Sequence, residues 1–178
     1  SMFSMNIIYN QKAFSHYDTI ICANKIHALE VKDYEFSNSR VKFLNLGYPK
    51  IDEINKSSNN QNKSNLINSI LIAPSWGNEN ENFKTYEKLI LELLELGFLV
   101  NFRPHPASLK YYKKVLDKMY LNLNNYKNFN FSHDKNNLND YLKNDLIISD
   151  WSGSAIEFAL ATKKRCMFLE TKQKIRNK

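Results

Sequence analysis

The chain has 178 residues, 43% of them hydrophobic and 13% aromatic, with a formal charge of +7. That length and apolar content support one buried core, or one domain and part of another, and exclude a disordered chain. No apolar run approaches the ~18–20 residues of a membrane helix, and the opening lacks the basic and apolar regions of a secretory leader.

Taken in chain order, "YDTIICAN" (Tyr17–Asn24) predicts a strand, "KIHALEVKDYEF" (Lys25–Phe36) a short helix, and "VKFLNLGYPKID" (Val41–Asp52) a strand that leaves through Gly47 and Pro49. This is about one and a half α/β units, too little for a sheet of its own. "NKSSNNQNKSN" (Asn55–Asn65) holds no apolar residue and reads as a linker. The expected organisation is a partial N-terminal segment over 1–55, a linker over 56–66 and a Rossmann-like domain over 67–178.

Beyond the linker, strand and helix alternate. "SILIAPSW" (Ser69–Trp76) is a strand ending in a loop. "ENFKTYEKLILELLELG" (Glu81–Gly97) has apolar residues at helical spacing, with Gly97 where a helix-ending glycine belongs. "FLVNFRPHP" (Phe98–Pro106) is a strand, and Ser108–Leu123 a helix with Ser108 as its N-cap. "NFNFSH" (Asn128–His133), "DLIISD" (Asp145–Asp150) and "KRCMFLE" (Lys164–Glu170) are strands. Asn136–Asn144 and Ser152–Thr162 are helices. Apolar-run strands alternating with helices predict an α/β fold, a doubly wound parallel sheet covered on both faces.

Ligands of such sheets bind beyond the carboxyl ends of the strands, and the unusual residues of this chain cluster there. Ser152, Gly153 and Ser154 open a helix after a strand. Small residues at a helix start let an anion reach unpaired N–H groups, although Asp150 or Ser152 can equally be a plain N-cap. Glu157 falls within the first turn or so. There a carboxylate gains from the helix dipole, or accepts two hydroxyls of a ribose. Arg103 and His105 end another strand, with His105 held between Pro104 and Pro106. Arg103 suits phosphate oxygens, and His105 suits donation to a diphosphate or proton transfer. Trp76 and Trp151 each follow a strand, as core residues or as a surface for a nucleobase. Ser75 and Gly77 can shape the same rim.

Cys22 and Cys166 lie far apart, make no zinc set and read as buried thiols of a reducing compartment. The positive charge is Lys scattered among Asn, without an Arg-rich stripe, a recognition helix or an RNA-binding signature. Nucleic acid is therefore not expected as a partner. The charge suits a nucleotide phosphate, a polyanionic polymer or an anionic membrane face.

"GYPKID", "ILIAPSW", "RPHP" and "SDWSGSAIEFA" together resemble the CDP-glycerol glycerophosphotransferase family of teichoic-acid and capsule polymerases, which have a GT-B fold. The resemblance runs from Tyr17 onward and extends to other GT-B enzymes, including nucleotide-sugar 2-epimerases. It implies transfer of glycerol phosphate from a CDP-activated donor to a polymer hydroxyl at the cytoplasmic face of a membrane, with no metal and no cofactor beyond the substrate nucleotide. Arg103 and His105 would be catalytic. Ser152, Gly153, Ser154, Glu157, Ser75 and Trp76 would bind the nucleotide and its phosphates. A full member has a whole N-terminal domain and closing C-terminal helices. This chain resembles only part of that plan, so donor binding is expected to survive and turnover to be weak or missing. The rival expectations are a UDP-sugar glycosyltransferase or 2-epimerase, and a non-catalytic basic module that binds a polyanion.

Overall fold

The structure is a computed structural model that describes residues 14, 16–35, 41–58, 66–76, 79–133 and 137–171. Gly77 and the stretch 172–178, assigned above to the nucleotide rim and the second domain, lie outside the described residues. The chain divides into two compact units, one reaching Glu53 and the other running Ile54–Thr171.

The first unit is a β-α-β element. β1 (Thr19–Cys22) and β2 (Lys42–Asn45) pair in parallel across α1 (Lys25–Glu35). Ile20, Cys22 and Val31 are buried together, with Phe14, Ala28, Val41 and Phe43 packed around them. Asn24 starts α1, its side-chain oxygen accepting from the His27 backbone N–H at 2.8 Å. The run expected as one strand to Asp52 is two elements: β2 stops at Asn45, and Gly47 turns the chain at φ +79°. Pro49, whose missing N–H costs nothing in a first helical turn, then opens α2 (Pro49–Ser58). The polar stretch expected to be linker is therefore helical as far as Ser58, and 59–65 lie outside the described residues. Both cysteines are free; Cys22 is buried, whereas Cys166 is only half-buried.

The second unit is a Rossmann-like α/β domain. β3 (Ser69–Ile72), β4 (Leu99–Phe102), β5 (Phe129–Phe131), β6 (Leu146–Ser149) and β7 (Arg165–Phe168) form one parallel sheet in the order β5-β4-β3-β6-β7. Between them run α3 (Glu79–Glu95), α4 (Pro106–Tyr111), α5 (Lys113–Leu123), α6 (Leu138–Lys143) and α7 (Gly153–Thr162). Ile70, Ile72, Val100, Phe102, Leu146 and Ile148 point to one face, where Tyr86 and Ile90 of α3 and Leu116 and Leu123 of α5 cover them. Each fully buried side chain of this kind contributes roughly 1.5–3 kcal/mol. Leu71 and Ile147 point the other way, where α6 lies on β3 and α7 on β6 and β7.

Helix ends follow local chemistry. Gly97, at φ +87°, closes α3: its N–H donates to Leu94 O, and the next N–H, of Phe98, reaches back to Leu93 O. This Schellman geometry needs the left-handed conformation that glycine adopts without strain. The helix expected over Ser108–Leu123 is two, because Tyr112 leaves helical geometry at φ −126°, ψ 28°. Its N-cap is His105 rather than Ser108, which is a buried residue inside α4. Pro106 lacks an N–H, so Ala107 N–H is the first donor that needs a partner, and His105 Nδ1 accepts it at 3.1 Å.

At the amino edge of the sheet, Asp145 Oδ2 accepts from Asn68 N, Ser69 N and Ser69 Oγ at 2.9–3.1 Å. Burial pushes its carboxyl up, but these bonds and the Lys164 charge outweigh burial and hold it below the usual carboxylate range. The folded group then titrates below the unfolded one. Its stabilisation is complete above the unfolded value of about 3.9 and is lost as pH falls through the folded value. Asp145→Ala is expected to cost on the order of 1–2 kcal/mol in urea unfolding at pH 7, with the gap to wild type closing toward pH 3. An equal gap at both pH values would contradict this role.

Candidate functional site

The sheet reverses its direction of growth between β3 and β6. From β3 the chain steps through β4 to β5, then returns through α6 to β6 on the other side of β3, and on to β7. Such a switch point opens a crevice beyond the carboxyl ends of the two strands. All strands here are parallel, so β3, β4 and β6 end at one edge. The tips of β4 and β6 flank that of β3, roughly 10 Å apart at the usual strand spacing.

Three hydrogen bonds tie β3 to β6 beyond the ladder. Ala73 N donates to Ile148 O at 3.0 Å, Ser149 Oγ to Ala73 O at 2.5 Å, and Ser75 N to Asp150 Oδ1 at 2.7 Å. Asp150 is 1% exposed, and its other oxygen has no hydrogen-bond partner among the described residues. The Tyr86 hydroxyl is likewise buried without one; burial first, and then the Asp150 charge, push its pKa up. Asp150 therefore fixes the β3 loop rather than capping α7.

That cap is Ser152, whose Oγ accepts from Ser154 N at 3.3 Å. That bond uses a lone pair of the hydroxyl and leaves its proton as a donor, so an anion there would meet both the backbone N–H groups and the Ser152 O–H. Gly153 and Ser154 are half-buried at the same helix start. Glu157 is not in the first turn of α7 but in the second, where the helix dipole contributes little. Its Oε2 instead accepts from Tyr141 OH and from Asn137 Nδ2, both at 3.3 Å.

On the β4 side, His105 is half-buried and stacks on Trp76, with ring centroids 6.2 Å apart at 26°. Because Nδ1 accepts the Ala107 N–H, the proton of the neutral ring sits on Nε2. Trp76 and Trp151 are each 40% exposed, so neither is a core residue. Trp151 donates from Nε1 to Thr171 O at 3.1 Å. Ser75, Trp76, His105 and Ser152–Ser154 thus share one edge of the sheet.

Arg103 turns out to be engaged within the fold. Its Nη1 pairs with Asp140, a partner the sequence did not suggest, and Asp140 also accepts from Ser132 Oγ at 2.6 Å. The paired side chains are only 15% and 10% exposed. A phosphate would have to be gripped through Nε and Nη2. An apolar cavity of about 400 Å³ lies away from the strand tips, over β6 and β7 beside Leu89 and Leu93 of α3.

A family model described as CDP-Glycerol:Poly(glycerophosphate) glycerophosphotransferase matches residues 6–173. The chain belongs to this family. Among solved structures it is similar to a UDP-GlcNAc 2-epimerase of Methanocaldococcus jannaschii, determined with UDP-GlcNAc and UDP. The identity is 18% and the TM-score 0.54, over 85% of this chain and 45% of that one. The likeness is one of fold, and this chain spans less than half the length of that structure. No curated protein matches the chain in sequence. Among the described residues, no helix is long and apolar enough to cross a membrane.

Removing either member of the Arg103–Asp140 pair would strand a nearly buried charge. Arg103→Gln is expected to lower stability by about 3 kcal/mol, the lower end for buried pairs. Arg103→Lys should recover part of the loss, because the pair runs through Nη1 alone and a lysine keeps the charge. Urea unfolding checks both, and a loss below about 0.5 kcal/mol, typical of a surface residue, would rule out the structural role.

Proposed function

We propose that this chain binds the nucleotide donor of a transferase that moves glycerol phosphate from CDP-glycerol to a hydroxyl of a cell-surface polymer such as a teichoic acid or capsule. The carrying observation is the common edge, beside the switch point, shared by Trp76 on the β3 loop, His105 after β4 and the Ser152 helix start after β6. Family membership supports this chemistry: an acceptor hydroxyl gives its proton to a base and attacks the phosphorus bonded to glycerol, and the bond to CMP breaks with its electron pair leaving on CMP.

In this reading the first N–H groups of α7 meet the diphosphate and stabilise the charge that grows on the leaving CMP. His105, protonated at Nε2 when neutral, donates to the diphosphate or hands on a proton. Trp76, already stacked on that imidazole, offers its ring to the base. Glu157 accepts from the ribose. Arg103 acts on phosphate only through the part of its guanidinium not turned to Asp140. The basic surface suits an anionic polymer or the inner face of a membrane, and a further part of the full protein would supply the acceptor side.

Calorimetry with CMP, CDP-glycerol and UDP tests this. CMP and CDP-glycerol should bind. Glu157→Gln and His105→Asn should each weaken CMP roughly tenfold, the scale of one charge-assisted hydrogen bond. Asn is chosen because it can still cap α4. Unchanged affinity in both variants would refute the site. Preference for UDP over CMP would favour a nucleotide-sugar enzyme, and salt-sensitive polyanion binding indifferent to Glu157 would favour a non-catalytic module.

A further inference from the structure

Two buried oxygens stand behind the strand tips without a hydrogen-bond partner among the described residues: the Tyr86 hydroxyl on α3 and Oδ2 of Asp150. Each residue is 1% exposed, so bulk solvent reaches neither. The Tyr86 ring belongs to the core cluster with Ile72, Phe102 and Ile148, where a phenylalanine would pack as well. The hydroxyl is therefore the feature that needs a reason. Buried polar groups are almost always hydrogen-bonded, and an orphan is expensive.

The two orphans are neighbours. After burial, the Asp150 charge is the second cause that pushes the Tyr86 pKa up. Yet no hydrogen bond joins them. Their chemistry is complementary. The phenol keeps its proton at any working pH and can donate it, whereas a carboxylate oxygen only accepts. One small molecule that both accepts and donates satisfies the two at once. Water does this: its oxygen takes the phenol proton, and one of its own protons goes to Oδ2. Two to four polar partners are what an internal water requires. A metal ion fits less well, because one carboxylate and one phenol are too few ligands. No cluster of three His, Cys, Asp or Glu that could hold a metal occurs among the described residues.

We infer that one ordered internal water bridges the Tyr86 hydroxyl and Asp150 Oδ2, and that Tyr86 is thereby a positioning residue of the β3 loop. The other Asp150 oxygen accepts the Ser75 N–H at 2.7 Å, so the carboxylate is held from both sides. Helix α3 then joins β3 and β6 in fixing the loop that carries Trp76. The inference does not depend on which nucleotide the site takes, or on whether it takes one.

The test is a crystal structure of the chain at a resolution that shows ordered water, with thermal melting and amide exchange of wild type and Tyr86→Phe. One water within hydrogen-bond distance of both oxygens is expected. Tyr86→Phe keeps the ring and removes the donor to the bridge. Its melting temperature should fall, and the Ser75 amide should exchange roughly tenfold faster, the scale of one hydrogen bond to a charged group. A hydroxyl that served only the core would speed only the amides that open with the whole fold, and would leave the local opening of Ser75 unchanged. If the hydroxyl were dry, removing it would relieve an unsatisfied group, and the melting temperature would rise. That rise, a direct Tyr86–Asp150 hydrogen bond, a cation in place of the water, or unchanged Ser75 exchange each overturns the inference. If Tyr86→Phe fails to fold, the crystal structure decides alone.

Discussion

Asp150 stands where the β6 strand gives way to the helix start, almost wholly buried, and accepts the N–H of Ser75 across the switch point. With the Ser149 hydroxyl on Ala73 O, it extends the pairing of β3 and β6 past the last ladder bond. Everything placed at this edge depends on that connection. It sets the β3 loop beside the end of β6, and Trp76 on that loop stacks on His105. Burying a carboxylate with one oxygen unpartnered among the described residues is costly. The fold accepts that cost at the place where its topology opens a crevice.

The edge is also rigid for a second reason. Two of the helices that begin there are capped by a side chain of the proposed site, α4 by His105 and α7 by Ser152. A cap spends one acceptor of each residue. It fixes the imidazole so that Nε2 carries the proton, and it holds the Ser152 hydroxyl at the helix mouth, where its proton and the backbone N–H groups are the donors to an anion. The groups that would meet a phosphate are thus oriented by the same bonds that begin the helices.

The α/β alternation, the parallel sheet and the clustering of odd residues at strand ends were legible because each follows from local pattern: apolar runs of strand length, helical spacing, and glycine or serine at the joints. Gly97 was legible for the same reason, since a helix followed by a strand needs a left-handed residue. What escaped the sequence is long-range pairing. Nothing near "RPHP" announces that Arg103 will meet Asp140, 37 residues on, or that Asp150 will serve Ser75 rather than the adjoining helix. Register within helices was also beyond reach. Glu157, expected within the first turn or so, falls at the start of the second with Ser152 as the cap. The cap expected at Ser108 failed because Pro106 already fits the first helical turn, and the unbroken helix to Leu123 failed at Tyr112, where no proline or glycine marks the break.

The central claim is that three strand tips, held together through Asp150, serve one nucleotide. Hydrogen–deuterium exchange of the chain with and without saturating CMP tests it most directly. The account predicts slowed exchange in all three segments, 73–76, 103–109 and 150–157, on adding CMP. Protection of one tip alone, or protection confined to other parts of the sheet, would contradict it.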